Sequence, residues 1–413
     1  MRKGLLDISP LRTSPAFRRL WIGTTAIRFS GQMAVVAVLC QVWELTKSPL
    51  WTGAIGVATA VPTIVLGLYG GTLADTYDRR RVMLLTSSGA IVAAGLLAAQ
   101  AIAGIESALL VLALVAAQTS CTALGYASRR ALIPRLLPQE QVPAGVALDL
   151  LAFQVAMLGG PALAGVVLAA GGPSWVYIFD AFAILLALYG MSRLPAMLPE
   201  GGATRAGLGA TVEGLVFLWR RPVLRGVMAT DLAATVLAIP VALFPIINQE
   251  RFGGDPHTLG LFLTAVAVGG TAAGLLSGAV TSAARPGAVM LGAAAVWGLA
   301  MAGFGLFDGL AATLVCLAIA GAADNVSVTS GGTVVQLETP DGFRGRITSA
   351  QYAVGAGGPG IGDARAGLVA SLLSASASAV SGGLACVLAV GVIAGTHPAL
   401  RRWRRQEPVT TGV

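Results

Sequence analysis

Gly71–Thr72–Leu73–Ala74–Asp75–Thr76–Tyr77–Asp78–Arg79–Arg80–Arg81 is a short polar stretch between two long apolar runs, and its reading decides the fold. Leu50 to Gly70 upstream carries no charge, and neither does Val82 to Gly104 downstream. About 20 apolar residues in a helix cross the ~30 Å hydrocarbon core of a bilayer, so each run is long enough to span it. The stretch is then the tip of a helical hairpin. Three consecutive arginines place such a tip on the cytoplasmic side, where basic loops are retained.

Composition agrees. Of 413 residues, 55% are hydrophobic and only 11% charged, too little polar surface to enclose a soluble globule of this length. The net charge of +8 raises the question of nucleic acid. The basic residues, however, sit in brief clusters between apolar runs, a pattern set by topology, and no nucleic-acid partner is expected. Cys40, Cys121, Cys316 and Cys386 all fall inside apolar runs without C-x-x-C spacing. They read as small buried hydrophobes, with no metal or redox role. The N-terminus reaches Ser9–Pro10 and Arg18–Arg19 before any long apolar run, unlike a cleaved signal peptide.

In chain order, apolar runs occupy Arg19 to Leu45, Leu50 to Gly70, Val82 to Gly104, Ala108 to Ala127, Pro143 to Gly171 and Trp175 to Met191. A polar connector rich in proline, glycine and arginine follows, its end from Leu208 to Trp219 short enough for an interfacial helix. Six more runs start near Val223, Thr258, Gly287, Leu310, Ile347 and Ala375. The expected organisation is a cytoplasmic tail (1–13), a first six-helix bundle (14–194), a connector (195–221), a second six-helix bundle (222–398) and a basic cytoplasmic tail (399–413). With both termini inside, only Lys47 and Arg251 fall on outer loops, as the positive-inside rule requires.

The halves also echo each other. Gly71 after the second run matches Gly278 after the eighth, and Pro138 matches Pro340, both at an offset of about 205 residues. Paired halves are the architecture of carriers that rock around a central site.

The pattern G-x-L-A-D-x-x-D-R-R-R of residues 71–81 resembles the loop signature of the major facilitator superfamily, which has glycine at the place of Asp78. D-R-R-R resembles the branch of drug and siderophore exporters that includes the enterobactin and macrolide efflux proteins. Ala156 to Gly165 resembles the antiporter motif G-x-x-x-G-P-x-x-G-G, keeping Gly160, Pro161 and Gly165 and replacing two glycines by Ala156 and Ala164. The R-x-x-I-P run from Arg130 to Pro134 and Ala364–Arg365–Ala366–Gly367 extend the likeness over most of the chain. The resemblance implies twelve transmembrane helices in two pseudo-symmetric bundles. It further implies an alternating-access secondary transporter, a proton-coupled exporter of small amphipathic molecules such as drugs or siderophores. It also implies that Asp75 stabilises the outward-facing state against the neighbouring half; by their charge, Arg79, Arg80 and Arg81 are expected to pair with Asp78 or with anionic lipid headgroups.

Ionisable groups at membrane depth are unfavourable by about 2.5–3.5 kcal/mol, so each needs a partner or a watery cavity. Arg28 and Asp231 lie at matching places in the two halves, each about nine residues (~13 Å) above its cytoplasmic boundary, and Asp324 lies at similar depth. The expectation is that Arg28 pairs with Asp231 or Asp324 in one state and that protonation of the acid biases the halves toward the other. A static pair that only aids packing is the alternative. Asp180 is expected to meet Arg365 toward the outer half, and Asp149 to be a structural residue near the inner surface. Gln32, Gln118, Trp21, Tyr352 and Phe244 are expected at the cavity, and the glycine-dense eleventh run around Pro359 is expected to be deformable.

H-E-x-x-H, G-x-S-x-G and a Walker-type phosphate loop are all missing from the sequence, so the chain is expected not to be an enzyme and to need no cofactor or metal. The expected partners are a small-molecule substrate, protons and membrane lipids, with the chain a monomer in the cell membrane. An importer of a nutrient or lysophospholipid shares this architecture. A receptor or scaffold that transports nothing is the reading from another class, and charges embedded in several spans argue against it.

Overall fold

A computed structural model describes residues 7–130, 136–194, 213, 216–276, 283–340 and 344–404. Ten helical stretches in it are long and apolar enough to cross a membrane. One of these, Val142–Ser192, turns back on itself at Gly172, and the glycine-rich Arg344–Leu372 adds a further crossing, giving twelve. We name them α1 Pro15–Thr46, α2 Pro49–Thr76, α3 Arg79–Ile102, α4 Ala108–Arg130, α5 (142–171), α6 (173–192), α7 Pro222–Phe252, α8 Pro256–Leu275, α9 Pro286–Leu306, α10 Leu310–Glu338, α11 Arg344–Leu372 and α12 Ala375–Thr396.

Local chemistry sets most of the boundaries. The Ser14 hydroxyl accepts the Phe17 N–H at 3.2 Å and Pro15 follows at the first helical position, an arrangement that starts a helix well. Asp78 caps α3 through the Arg80 N–H at 3.0 Å, Asp255 caps α8, and Ser374 caps α12. At Gly172 the chain adopts φ 72°, a left-handed conformation that glycine takes without strain, and Pro173 then opens α6.

The sequence presents α7 as one apolar run, but the chain is not one helix there. Pro222–Leu232 is α-helical, Ala233–Leu237 forms a π turn, and residues 239–240 are irregular. A 3-10 turn, Val241–Leu243, then leads into Phe244–Phe252. Pro240 and Pro245 each remove a backbone donor, so a continuous hydrogen-bond ladder cannot pass between them. The second segment is anchored by edge-on aromatic contacts of Phe244 with Phe262 (5.6 Å) and of Phe262 with Phe304 (5.8 Å). Phe244 is therefore core, not cavity lining. The break in helical geometry lies in α7, while α11 runs as one helix through Pro359.

Helices α1–α6 and α7–α12 form the two halves. We call the end of the molecule carrying the start of α1 and the end of α12 the terminal face, and the other end the opposite face. From mid-depth to the opposite face the halves are sewn together along two seams. In one, α2 meets α11 so closely that a Cβ on Gly367 would stand 2.7 Å from the Gly53 Cα. In the other, α5 meets α8, and a Cβ on Gly260 would stand 2.6 Å from the Pro161 carbonyl oxygen. Small residues permit such approach between membrane helices. Among the described residues, the main contacts joining the halves lie along these seams, with smaller ones where α2 meets Val241–Leu243 of α7 and where α1 meets Phe244–Phe252 and α8.

Candidate functional site

The seams roof a cavity of about 580 Å³ between the halves. The first half contributes Arg28, Gln32, Thr52, Ser87, Gln118, Arg129 and Asp180; the second contributes Val241, Ala356, Pro359, Gly360 and Asp363. Ile27, Val35, Val38 and Val115 give much of the remaining wall an apolar surface, with Thr59, Thr86, Thr119 and Thr122 interspersed. Apolar walls with a few fixed polar groups are the usual make-up of small-molecule sites. A second chamber of about 280 Å³, lined by Trp21, Tyr126, Asp149 and Phe153 among others, shares Arg28 and Arg129 with the first.

Asp180, on α6, is 2% exposed and accepts two hydrogen bonds from neutral donors, the Ser30 hydroxyl at 2.5 Å and the Gln118 amide at 2.6 Å. The expected partner, Arg365, lies instead against α12, where its guanidinium would crowd a Cβ on Gly382 at 2.5 Å. The two do not meet because Asp180 turns toward α1 and α4 inside the first half. Gln118 thus reaches the cavity as expected and positions a carboxylate there.

Arg28 also has a different partner from the one expected. Its guanidinium meets the Asp149 carboxylate at 2.7 Å, bonds the Asp149 carbonyl and lies 5.8 Å from the centre of the Phe153 ring. Neither Asp231 nor Asp324 forms an ion pair with Arg28 among the described residues. The close α1–α5 packing brings Asp149 across to Arg28. That packing depends on Gly160, where a Cβ would come within 2.5 Å of the Gln32 Cβ. Asp231 is half-buried on the first segment of α7, and Asp324 lies on α10. Asp324 is exposed and lines neither of the two cavities described.

The antiporter-like residues serve both packings. Gly160 lets α1 approach α5, whereas Pro161 and Gly165 face α8, a Cβ on Gly165 standing 2.9 Å from the Pro256 carbonyl oxygen. In the polar loop, Arg80 donates to the Ser192 carbonyl at 2.6 Å, tying the start of α3 to the end of α6, and Arg81 lies 4.0 Å from Asp78. The Gly71 and Asp75 side-chain positions, and that of Tyr352, lie outside the described residues. Trp21 donates its ring N–H to the Leu148 carbonyl at 3.1 Å and lines the smaller chamber.

Sequence reasoning missed the role of Asp363, which faces the cavity from α11 and accepts the Ala242 N–H at 2.8 Å. The available signal was Pro240 and Pro245 five residues apart inside an apolar run, which marks a broken helix whose free N–H groups need an acceptor.

The family described as transmembrane secretion effector, a branch of the major facilitator superfamily, matches residues 6–411. The chain belongs to this family. It is a multi-pass secondary transporter of a small molecule, not an enzyme. Among curated relatives, this family member is 28% identical to the enterobactin exporter EntS of Citrobacter koseri over 99% of this chain and 98% of that protein. It is also 28% identical to EntS of Shigella boydii over 98% of each. Solved structures share the fold at low identity. A POT family transporter in complex with 5-aminolevulinic acid superposes with a TM-score of 0.76 at 11% identity, covering 94% of this chain and 97% of that one. A bacterial homologue of the iron transporter ferroportin, in an inward-facing state, gives 0.67 at 16% identity over 94% and 99%.

Proposed function

We propose that this transporter exports a small amphipathic molecule of the siderophore class in exchange for protons. In this reading it sits as a monomer in the cell membrane with both termini cytoplasmic. The carrying observation is the cavity between the halves, closed on the opposite face by the two glycine seams. The charge pattern supports the orientation. Arg79, Arg80, Arg81 and Arg401 lie at the terminal face, and Lys47 and Arg251 at the other, so the terminal face is the cytoplasmic one. The cavity then loads from the cytoplasm, and the kinship with enterobactin exporters supports outward release of a siderophore-like cargo.

For coupling we nominate Asp231 on α7 and Asp324 on α10, acids within membrane spans of the second half whose protonation would bias the halves toward the other state. Arg28, held by Asp149, stabilises the first half and lends its charge to the cavity wall. Asp78 and Arg80 fix the loop between α2 and α3, Asp75 favours one state, and Arg81, 83% exposed, meets lipid headgroups.

Everted membrane vesicles energised with an inward-acid proton gradient test the reading. Uptake of enterobactin or of a lipophilic dye that collapses with the gradient is expected. Net movement in the reverse direction would make the chain an importer, and movement indifferent to the gradient would remove the proton.

A further inference from the structure

The break in α7 ends against a residue that the transport reading leaves unused. Asp363 accepts the Ala242 N–H at 2.8 Å. This N–H lies in the first turn of the second α7 segment, among groups that no helix can satisfy from within. A carboxylate at such a position makes charge-assisted bonds and is favoured by the helix dipole. Asp363 therefore caps the free end of residues 241–252.

Its surroundings give the cap a second meaning. A Cβ on Gly56 of α2 would stand 2.8 Å from the Asp363 Cβ, and one on Gly53 would stand 3.0 Å from its carbonyl oxygen. Asp363 thus touches the first half at the tightest part of the seam, the second α7 segment behind it, and the cavity in front. The charges around it are few. Arg365, two residues on, acts from the same helix, and Asp180 on α6, Arg28 on α1 and Arg129 on α4 line the same cavity. Among the described residues, α2, α7 and α12 bring no titratable group against it.

We propose that Asp363 converts proton uptake from the cavity into opening of the opposite face. As a carboxylate it pins the second α7 segment and keeps the seam closed. A hydronium ion in the cavity gives its proton to Oδ2; the resulting carboxylic acid holds the Ala242 N–H weakly, and the segment moves away from α11. The proton returns to water on the other side once the seam has opened, and no other bond is made or broken. The inference rests on the proton-coupled reading above.

Hydrogen exchange of the full-length protein in lipid nanodiscs, followed by mass spectrometry across residues 238–247 and corrected for the intrinsic pH dependence, tests it. In the wild type, protection is expected to fall about tenfold from alkaline to mildly acid pH, the difference between charged and neutral capping. Asp363→Asn should be weakly protected at every pH, whereas Glu106→Gln, an exposed acid in the α3–α4 connection, should keep the wild-type response. Wild-type protection that ignores pH overturns the inference even if Asp363→Asn does not fold, and so does a wild-type response surviving in Asp363→Asn. Neither readout needs cargo. If gradient-driven export is absent while protection still follows Asp363, the transport reading fails alone; if export is proton-driven and Asp363→Asn responds normally, this inference fails alone.

Discussion

Substituting Gly56 by alanine probes whether the α2–α11 seam holds the opposite face shut. The added Cβ would lie 2.8 Å from the Asp363 Cβ and against the backbone of Gly360, neither of which is the far end of a flexible side chain. Carbon atoms rest at about 3.5–4.0 Å, so α2 and α11 must separate by about 1 Å. Over-packing of this kind typically raises the energy by about 1–3 kcal/mol. The strain exists only while the seam is closed, so the closed-to-open ratio should fall by about one to two orders of magnitude. Spin labels at Glu106→Cys and Gly309→Cys, on a cysteine-free background, report the distance between the halves at the opposite face. Gly56→Ala should lengthen it. Gly31→Ala, where a Cβ meets nothing within 4 Å, makes the same chemical change on α1 and should leave the distance unaltered. A folded Gly56→Ala protein with the wild-type distance distribution would show that the seam is not what keeps this face closed.

Three other perturbations have defined outcomes. Arg28→Ala leaves the Asp149 carboxylate without its cation; the pair is about a quarter exposed, so the loss should be about 1–3 kcal/mol, below the 3–5 of a fully buried pair. The Arg28→Ala/Asp149→Ala double variant should regain part of the lost Tm, and no regain would mean that the pair contributes nothing. Gln118→Leu removes one of the two donors to Asp180, and a lost bond to a charged acceptor is worth about 1.5–3 kcal/mol. Its Tm and transport rate should both drop, and an unchanged rate would show that the position of Asp180 does not matter to the cavity. Arg251→Gln dissolves a clamp in which one guanidinium meets the Phe304, Gly305 and Phe307 carbonyls, the Ser376 hydroxyl and Asp308. Thermal stability in detergent should fall by at least as much as for Arg28→Ala, because more bonds to a charged donor are lost.

The sequence by itself determined the membrane, the number of crossings, most helix boundaries and the family, because each depends on short-range properties. Hydrophobic length sets a span, a capping residue or proline starts it, and the polar stretch 71–81 carries its pattern within eleven consecutive positions. Tertiary structure alone decided which charges meet. Depth counted along a helix placed Arg28 level with Asp231, but rotation about the helix axes turned it to Asp149, and turned Asp180 to Ser30 and Gln118 instead of Arg365. The same holds for Asp363: a carboxylate in α11 has no visible partner in the sequence, since the N–H it caps is freed only where α7 breaks, some 120 residues earlier, and the two come together only when the helices pack. Depth is a one-dimensional quantity that sequence carries. Azimuth and contact between distant helices are not, and the site is made of those.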